Sequence, residues 1–227
     1  MKRSPAPRLG SRGKPEQSRA AILNAAIDEF AEHGIAGART DAIARTASVN
    51  KALLYYYFKD KEAIYEAVLD HVFSGLRDTV VPMLEGNLPP RQKVLNYLGA
   101  YFDYIAANPR FPRVVQGEWI RSGTDRIGQM RRVARTYFQP IYQKLGEVLR
   151  QGIAAGEFRP IDPMHFVPSM VAVIVFYFSA APVIKSVMKF DPLTDEHIAE
   201  RRAFVLDFIS AALFTRPLPA SRQGVRA

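Results

Sequence analysis

The segment Ala47–Glu62, ASVNKALLYYYFKDKE, places three consecutive tyrosines and a phenylalanine between lysines. Phenol hydroxyls and ammonium groups are donors that bind phosphate oxygens. In an α-helix, successive residues point about 100° apart, so three adjacent tyrosines cannot all lie in a core. We expect Tyr57 and Phe58 to face the core, and Tyr55 and Tyr56 to face outward. An outward pair of this kind beside lysines is typical of a surface that binds a polyanion.

The other ionisable side chains lack the spacing of a catalytic or metal site. The four histidines are scattered along the chain, and there is no cysteine. The sequence contains no phosphate-binding glycine loop, nucleophile elbow or His-Glu-x-x-His motif. The run Asp195-Glu196-His197 could suggest acid–base chemistry, but the charged first turn of a helix explains it. We therefore expect no enzymatic activity, no metal and no cofactor.

The elements that must position the tyrosines are helices, because apolar residues recur with a period near 3.6 almost throughout. A first amphipathic helix is predicted to end at Gly34. A short helix follows around Thr40–Thr46, then a tight break at Ala47–Val49, and then a second short helix that Asn50 caps. After the tyrosines, Asp60 caps a long helix. Two short helices joined by a tight turn form a helix-turn-helix, whose second helix would lie in the major groove of DNA.

The outward face of the second short helix is predicted to contact the duplex. We assign Tyr55 and Tyr56 mostly to phosphates, which fix the register, and Asn50 and Lys51 to base edges or nearby phosphates. Lys59 and Lys61 lie near the start of the next helix, whose free N–H groups also favour phosphate. The alternative for any single tyrosine is packing at the rim of the motif.

Composition and charge agree with a nucleic-acid partner. The formal net charge is +9 and the isoelectric point is near 9.8, values that suit a polyanionic partner such as nucleic acid or an acidic membrane surface. Residues 1–14 carry several of the basic side chains among prolines, glycines and serines, and we expect a disordered basic arm there. Without an apolar run, this segment cannot be a signal peptide.

The pattern in the remaining chain predicts five further helices and no strand, so the fold class is all-α. One helix is expected from about Pro90 to Asn108, and a long one from about Asp125 to Ala155 with a kink at Pro140. Pro82 marks a boundary before them. The uncharged stretch at 167–184 is at the lower limit for a membrane span. It contains two prolines and stands alone, which favours a helix buried in a core or a subunit interface, without a membrane role.

Two segments, ILNAAIDEFAEHG and TDAIARTASVNKALLYYYFKDKEAIYEAV, resemble the DNA-binding domain of the TetR family of bacterial regulators over about residues 17–70. By this resemblance, the positions that contact DNA in the family are matched by Thr40, Lys51, Tyr55, Tyr56 and Lys61. The family usually has glycine in the turn, where this chain has Ser48, so left-handed strain is expected at that serine. Leu53 departs from the usual small or polar residue.

The resemblance implies a helix-turn-helix domain at residues 15–62, with its motif at about 38–57, and a ligand-binding and dimerisation domain at 63–215. About nine helices are expected in all, with a disordered tail at 216–227. The last two long helices would pair in a homodimer that binds a palindromic operator in the cytoplasm. The dimer residues predicted on them are Val171, Val175, Phe178, Val205, Phe208, Ile209 and Ala212.

The resemblance also implies a pocket for an unidentified small-molecule effector, whose binding would release a repressor from its operator. Aromatic walls with a few polar groups suit such a pocket. The candidates are Tyr101, Phe102, Trp119, Arg121, Tyr137 and Tyr177, although aromatic residues at helical spacing are also common in a plain core. The competing interpretation is an all-helical protein-interaction bundle without DNA binding, which would not require Lys51, Tyr55 and Tyr56 to face outward together.

Overall fold

The computed structural model describes residues 15–122 and 131–216, and the side chains at 118–122 lie outside that description. The predicted arm at 1–14 and nearly all of the predicted tail also lie outside it. The helices of the described part are α1 (Pro15–Gly37), α2 (Thr40–Thr46), α3 (Lys51–Tyr57), α4 (Lys61–Leu84), α5 (Pro90–Ala107), α6 (Phe111–Ser122), α7 (Gln139–Ala154), α8 (Pro163–Met188) and α9 (Asp195–Leu213). An isolated antiparallel bridge joins Phe158 to Phe214. The predicted all-α class is confirmed.

The chain divides into two compact units. Within the described residues, the first comprises 15–74, 113–122 and 131–133, and the second comprises 75–112 and 134–216. The division falls inside α4, whose regular hydrogen bonding continues to Leu84. The sequence-based boundary between residues 62 and 63 lies instead at the start of this helix.

The first unit packs α1 to α3 and the first part of α4 around a small apolar core. Ile43 of α2 and Leu54 of α3 are fully buried, and the Phe30 and Tyr65 rings meet edge to face with centroids 5.0 Å apart. Such aromatic pairs add to the stabilisation from burial. Gly34 has φ 61°, a left-handed conformation that glycine adopts without a steric penalty. The helix is broken there as predicted, although hydrogen bonding of the helical kind continues to Gly37.

The second unit has its core where α5, α7, α8 and α9 meet. Phe102 of α5 is fully buried, with its ring centroid 5.3 Å from that of Phe178 on α8. The structure differs from two of the predictions that concern prolines. Pro82 lies inside the last turn of α4, so it does not begin a loop. In place of the kink expected at Pro140, a π-helical turn lies just before it at Ala134–Phe138. Such a turn accommodates proline, which has no backbone N–H to donate.

Helix α8 is the most apolar element of the described chain. It contains Pro168 and Pro182, and its N-cap is Asp162, whose carboxylate accepts the Met164 N–H at 2.8 Å. By length and composition it is the one described helix that could span a membrane, a test that a core helix also passes. One side, including Ile174, is buried, whereas the opposite side is exposed. Within one chain, α8 therefore has one buried face and one exposed face, and the exposed face is also apolar.

Candidate nucleic-acid interface

The turn between α2 and α3 is fixed by local hydrogen bonds. The Asn50 side chain accepts the Leu53 N–H at 2.7 Å, which confirms the predicted cap. The Val49 N–H donates to the Ala44 carbonyl at 2.9 Å and closes the turn. Ser48 has φ 56°, so the left-handed conformation expected from its substitution for glycine is present. These contacts set the angle at which α3 leaves the motif.

The four aromatic residues at the end of α3 divide between core and solvent. Phe58 is buried and Tyr57 is half-buried, whereas Tyr55 is 42% and Tyr56 80% exposed. The predicted orientation is therefore confirmed. The Asp60 side chain then accepts the Ala63 N–H at 2.8 Å and starts α4 directly after them. A run of four aromatic residues thus presents two phenols outward, because the helix rotates each from the next.

Two side-chain contacts join the outward face of α3 to the first turn of α2. The Lys51 ammonium lies 2.7 Å from the Asp41 carboxylate, and both side chains are about half exposed. The Tyr55 hydroxyl lies 3.2 Å from the Thr40 hydroxyl. The hydrogen bond and charge of Lys51 lower the pKa of Asp41, and those of Asp41 raise the pKa of Lys51. Sequence reasoning overlooked Asp41, whose only signal was an acid in the first turn of a short helix.

Lys61 is also engaged within the chain. Its ammonium donates to the carbonyl oxygens of Ala38 at 3.1 Å and Ala36 at 3.4 Å, where α1 ends. An ammonium carries three N–H donors, so one remains for a phosphate. By contrast, the Tyr56 hydroxyl and the Lys59 ammonium make no hydrogen bond or ion pair with other described side chains or backbone groups. The surface around α3 therefore combines these two donors with Lys51, Tyr55 and Lys61, whose side chains already make contacts within the chain.

The predicted effector residues that the structure describes lie in the second unit, in buried and half-buried positions. Tyr101, Phe102 and Tyr137 are buried in the second unit, and burial raises the pKa of Tyr101 well above its ordinary value. Tyr177 is half-buried and donates to the Pro192 carbonyl at 2.8 Å. The side chains of Trp119 and Arg121 lie outside the described residues.

An open groove of about 470 Å³ occurs elsewhere in the second unit, along α5 and α9. The bidentate ion pair between Arg202 and Asp103, with N–O distances of 2.7 and 2.9 Å, lies in it. None of the predicted effector residues lines this groove. Among the described residues there is no group of three or more His, Asp or Glu side chains that could hold a metal ion.

The predicted dimer residues separate into buried and exposed sets. Those packed inside one chain are Val175, Phe178, Val205 and Ile209, and Val171 is half-buried. Phe208 and Ala212 are exposed. The large apolar side chains that α8 and α9 expose are Met164, Phe176, Val183, Val187, Met188, Phe204 and Phe208. A contact between subunits through these helices would use this exposed set, since the buried set is already occupied.

Comparison with known proteins agrees with this geometry. Residues 22–68 match the family described as bacterial regulatory proteins, tetR family, and residues 90–209 match the tetracyclin repressor-like C-terminal domain. The transcriptional repressor SCO4008 of Streptomyces coelicolor is 36% identical over 110 residues, which cover 48% of this chain and 54% of that protein. The transcriptional repressor NicS of Pseudomonas putida is 24% identical over 193 residues, or 85% and 90% of the two chains.

Solved structures share the fold as well. The ketosteroid transcriptional regulator KstR2 of Mycobacterium tuberculosis superposes with a TM-score of 0.71 over 93% of this chain and 99% of that one, at 18% identity. The two family matches together span both the helix-turn-helix and most of the second unit. The chain therefore belongs to the TetR family of bacterial regulatory proteins and is a DNA-binding transcriptional regulator.

Proposed function

We propose that the protein binds a near-palindromic operator as a homodimer and represses transcription until a small molecule releases it. The observation that carries this proposal is the outward face of α3. A capped seven-residue helix presents Tyr56, 80% exposed, together with Lys51 and Tyr55, and the exposed Lys59 follows directly after its C-cap residue. Phenols and ammonium groups at this position suit phosphate and base contacts in a major groove. Two relatives are named repressors, which supports repression here.

The homodimer is supported by an exposed apolar stripe on α8 and α9. We use this name for Phe176, Val183 and Val187 of α8 and Phe204 and Phe208 of α9, all at least half exposed in one chain. Residues at i, i+7 and i+11 on α8, and at i and i+4 on α9, share a helix face. Arg201 links the two helices, because its guanidinium donates to the Val173 carbonyl at 2.9 Å. A second copy covering this stripe would remove it from water.

Dimerisation determines what DNA the protein would recognise. A two-fold dimer presents two copies of α3, and such heads fit half-sites one helical turn apart, about 34–36 Å. The operator is therefore a near-palindrome. A homodimer working in the cytoplasm, where the DNA is, requires no other protein partner for this step.

The effector is proposed to bind in the second unit and to favour a different spacing of the two heads. Helix α4 belongs to both units, since residues 61–74 lie in the first and 75–84 in the second. A coupling free energy of about 1–3 kcal/mol would release the operator about 5–150-fold. Buried phenols such as Tyr101 offer hydrogen-bonding groups inside an apolar region, as ligand sites require.

Binding to the DNA that flanks the protein's own gene tests the proposal. Fluorescence anisotropy should show saturable binding to one palindromic fragment, with much weaker binding to a scrambled duplex. Inserting about five base pairs between the half-sites turns one to the opposite face of the DNA and should abolish the tight complex. If this insertion leaves the affinity unchanged, or if no duplex binds at low salt, the dimeric operator-binding function is wrong.

A further inference from the structure

Asp41 occupies an unexpected position for an acid. It follows Thr40, a predicted phosphate contact, in the first turn of α2, and the first helix of a helix-turn-helix crosses the phosphate backbone. A free carboxylate there would repel the DNA. Its charge is offset by Lys51, whose ammonium lies 2.7 Å away at the first position of α3. The pair thus places one anion and one cation on the surface that faces the duplex.

We propose that Asp41 is a specificity-determining residue. Its carboxylate holds the Lys51 ammonium where it can contact base edges, and it offsets the charge that would otherwise strengthen binding to the phosphates of any sequence. The inference rests on DNA binding through α3, as put forward above. Asp41 acts through Lys51, so it is a positioning residue.

The physical basis is the difference between a paired and a free lysine. A free ammonium on a four-carbon chain can swing to any nearby phosphate, which strengthens binding to every sequence. A lysine paired to a carboxylate is held in one place and adds little net charge. Each group shifts the pKa of the other toward the charged form, so the pair remains ionised at neutral pH. The neighbouring contact between Tyr55 and Thr40, 3.2 Å long, holds the same two helices in register.

Three variants separate this role from simple support of the fold: Asp41→Asn, Lys51→Met and the double variant. Their binding is measured by fluorescence anisotropy over a range of salt, with a duplex selected by the wild type from a random library and with its scrambled counterpart. Asp41→Asn frees Lys51 in each subunit of the proposed dimer, so the salt slope should steepen by about 1.8, which is about 0.9 for each of two extra phosphates. Binding to the scrambled duplex should tighten about three- to tenfold, and discrimination between the two duplexes should fall by a similar factor.

Lys51→Met alone leaves the Asp41 carboxylate unpaired beside the DNA. It should weaken binding to both duplexes about three- to tenfold beyond the loss of base reading. Adding Asp41→Asn removes that charge, so the double variant should bind the scrambled duplex more tightly than Lys51→Met alone. A role confined to folding would give no such rescue, because both substitutions would then only loosen the motif.

Asp78→Asn is the matched control. Asp78 forms an exposed ion pair of the same 2.7 Å length with Arg77 in the second unit, so its removal changes the net charge equally and should leave the salt slope and the discrimination unchanged. Thermal unfolding confirms that each variant is folded. The inference is overturned if Asp41→Asn leaves slope and discrimination unaltered, or if it steepens the salt slope in the Lys51→Met background as much as in the wild type. A wild type that does not distinguish the two duplexes would instead overturn the proposed function itself, and this inference with it.

Discussion

Replacing the two phenylalanines of the exposed stripe on α9 by alanine should convert the proposed dimer to a monomer. Phe204 and Phe208 are 56% and 50% exposed in one chain, and their rings stack with centroids 5.9 Å apart. A phenylalanine can bury about 200 Å². The two rings therefore offer about 200 Å² of apolar area per subunit, and about 400 Å² in a two-fold interface that uses both copies.

At about 25 cal/mol per Å², this area corresponds to about 10 kcal/mol as an upper bound. Alanine retains its Cβ, and neighbouring side chains partly fill the space, so we expect a loss of about half, near 5 kcal/mol. That loss weakens the dimer more than about a thousandfold. Operator affinity should fall with it, because a monomer contacts only one half-site.

Sedimentation equilibrium over a dilution series from about 50 μM to about 50 nM measures the dissociation constant directly. The matched control is Leu88→Ala, which shortens an apolar side chain that is 47% exposed between α4 and α5. This control should remain dimeric. A Phe204→Ala, Phe208→Ala double variant that stays fully dimeric at the lowest concentration would show that the subunits meet elsewhere.

Three further predictions concern single side chains. Tyr56→Phe should weaken binding to all DNA sequences by about 1 kcal/mol for each bound subunit, because a phosphate contact carries no sequence information; a loss at one base pair alone would contradict that role. Gly152→Ala should lower the free energy of unfolding by about 1–3 kcal/mol in chemical denaturation, because its Cβ would lie 2.2 Å from the buried Phe158 ring; an unchanged stability would mean that the ring moves freely. Burial raises the pKa of Tyr104 to about 12, above the value near 10 of an unfolded tyrosine, so its stabilising effect is complete below about pH 10 and is lost as the pH rises through about 12. Tyr104→Phe should therefore reduce the alkaline decline in stability, and an unaltered pH profile would refute the assignment.

The features that could be predicted from sequence are those that depend on neighbouring residues. The bounds of α2 at Thr40–Thr46 and the caps Asn50 and Asp60 all agree with the structure. A cap is a hydrogen bond over two or three residues, so the local sequence determines it. The left-handed Ser48 follows in the same way from the tightness of the turn.

The features that could not be predicted depend on which helix faces meet. Helix α8 is apolar on nearly every side, so its period does not distinguish the buried Phe178 from Phe176, which is 70% exposed. The contacts of Lys51 with Asp41 and of Lys61 with the α1 carbonyls likewise join residues 10 to 25 positions apart. Such pairs follow from the crossing of packed helices, which single-sequence patterns do not specify.

The contacts that hold Lys61, Lys51 and Tyr55 within the folded chain also affect the thermodynamics of association. A long side chain loses up to about 2 kcal/mol of conformational entropy when it is immobilised. In this protein these side chains are largely ordered when the chain folds, so binding to a duplex removes less of their rotamer freedom. Calorimetry should accordingly show a smaller unfavourable entropy of association for the wild type than for Asp41→Asn, in which Lys51 has lost its carboxylate partner.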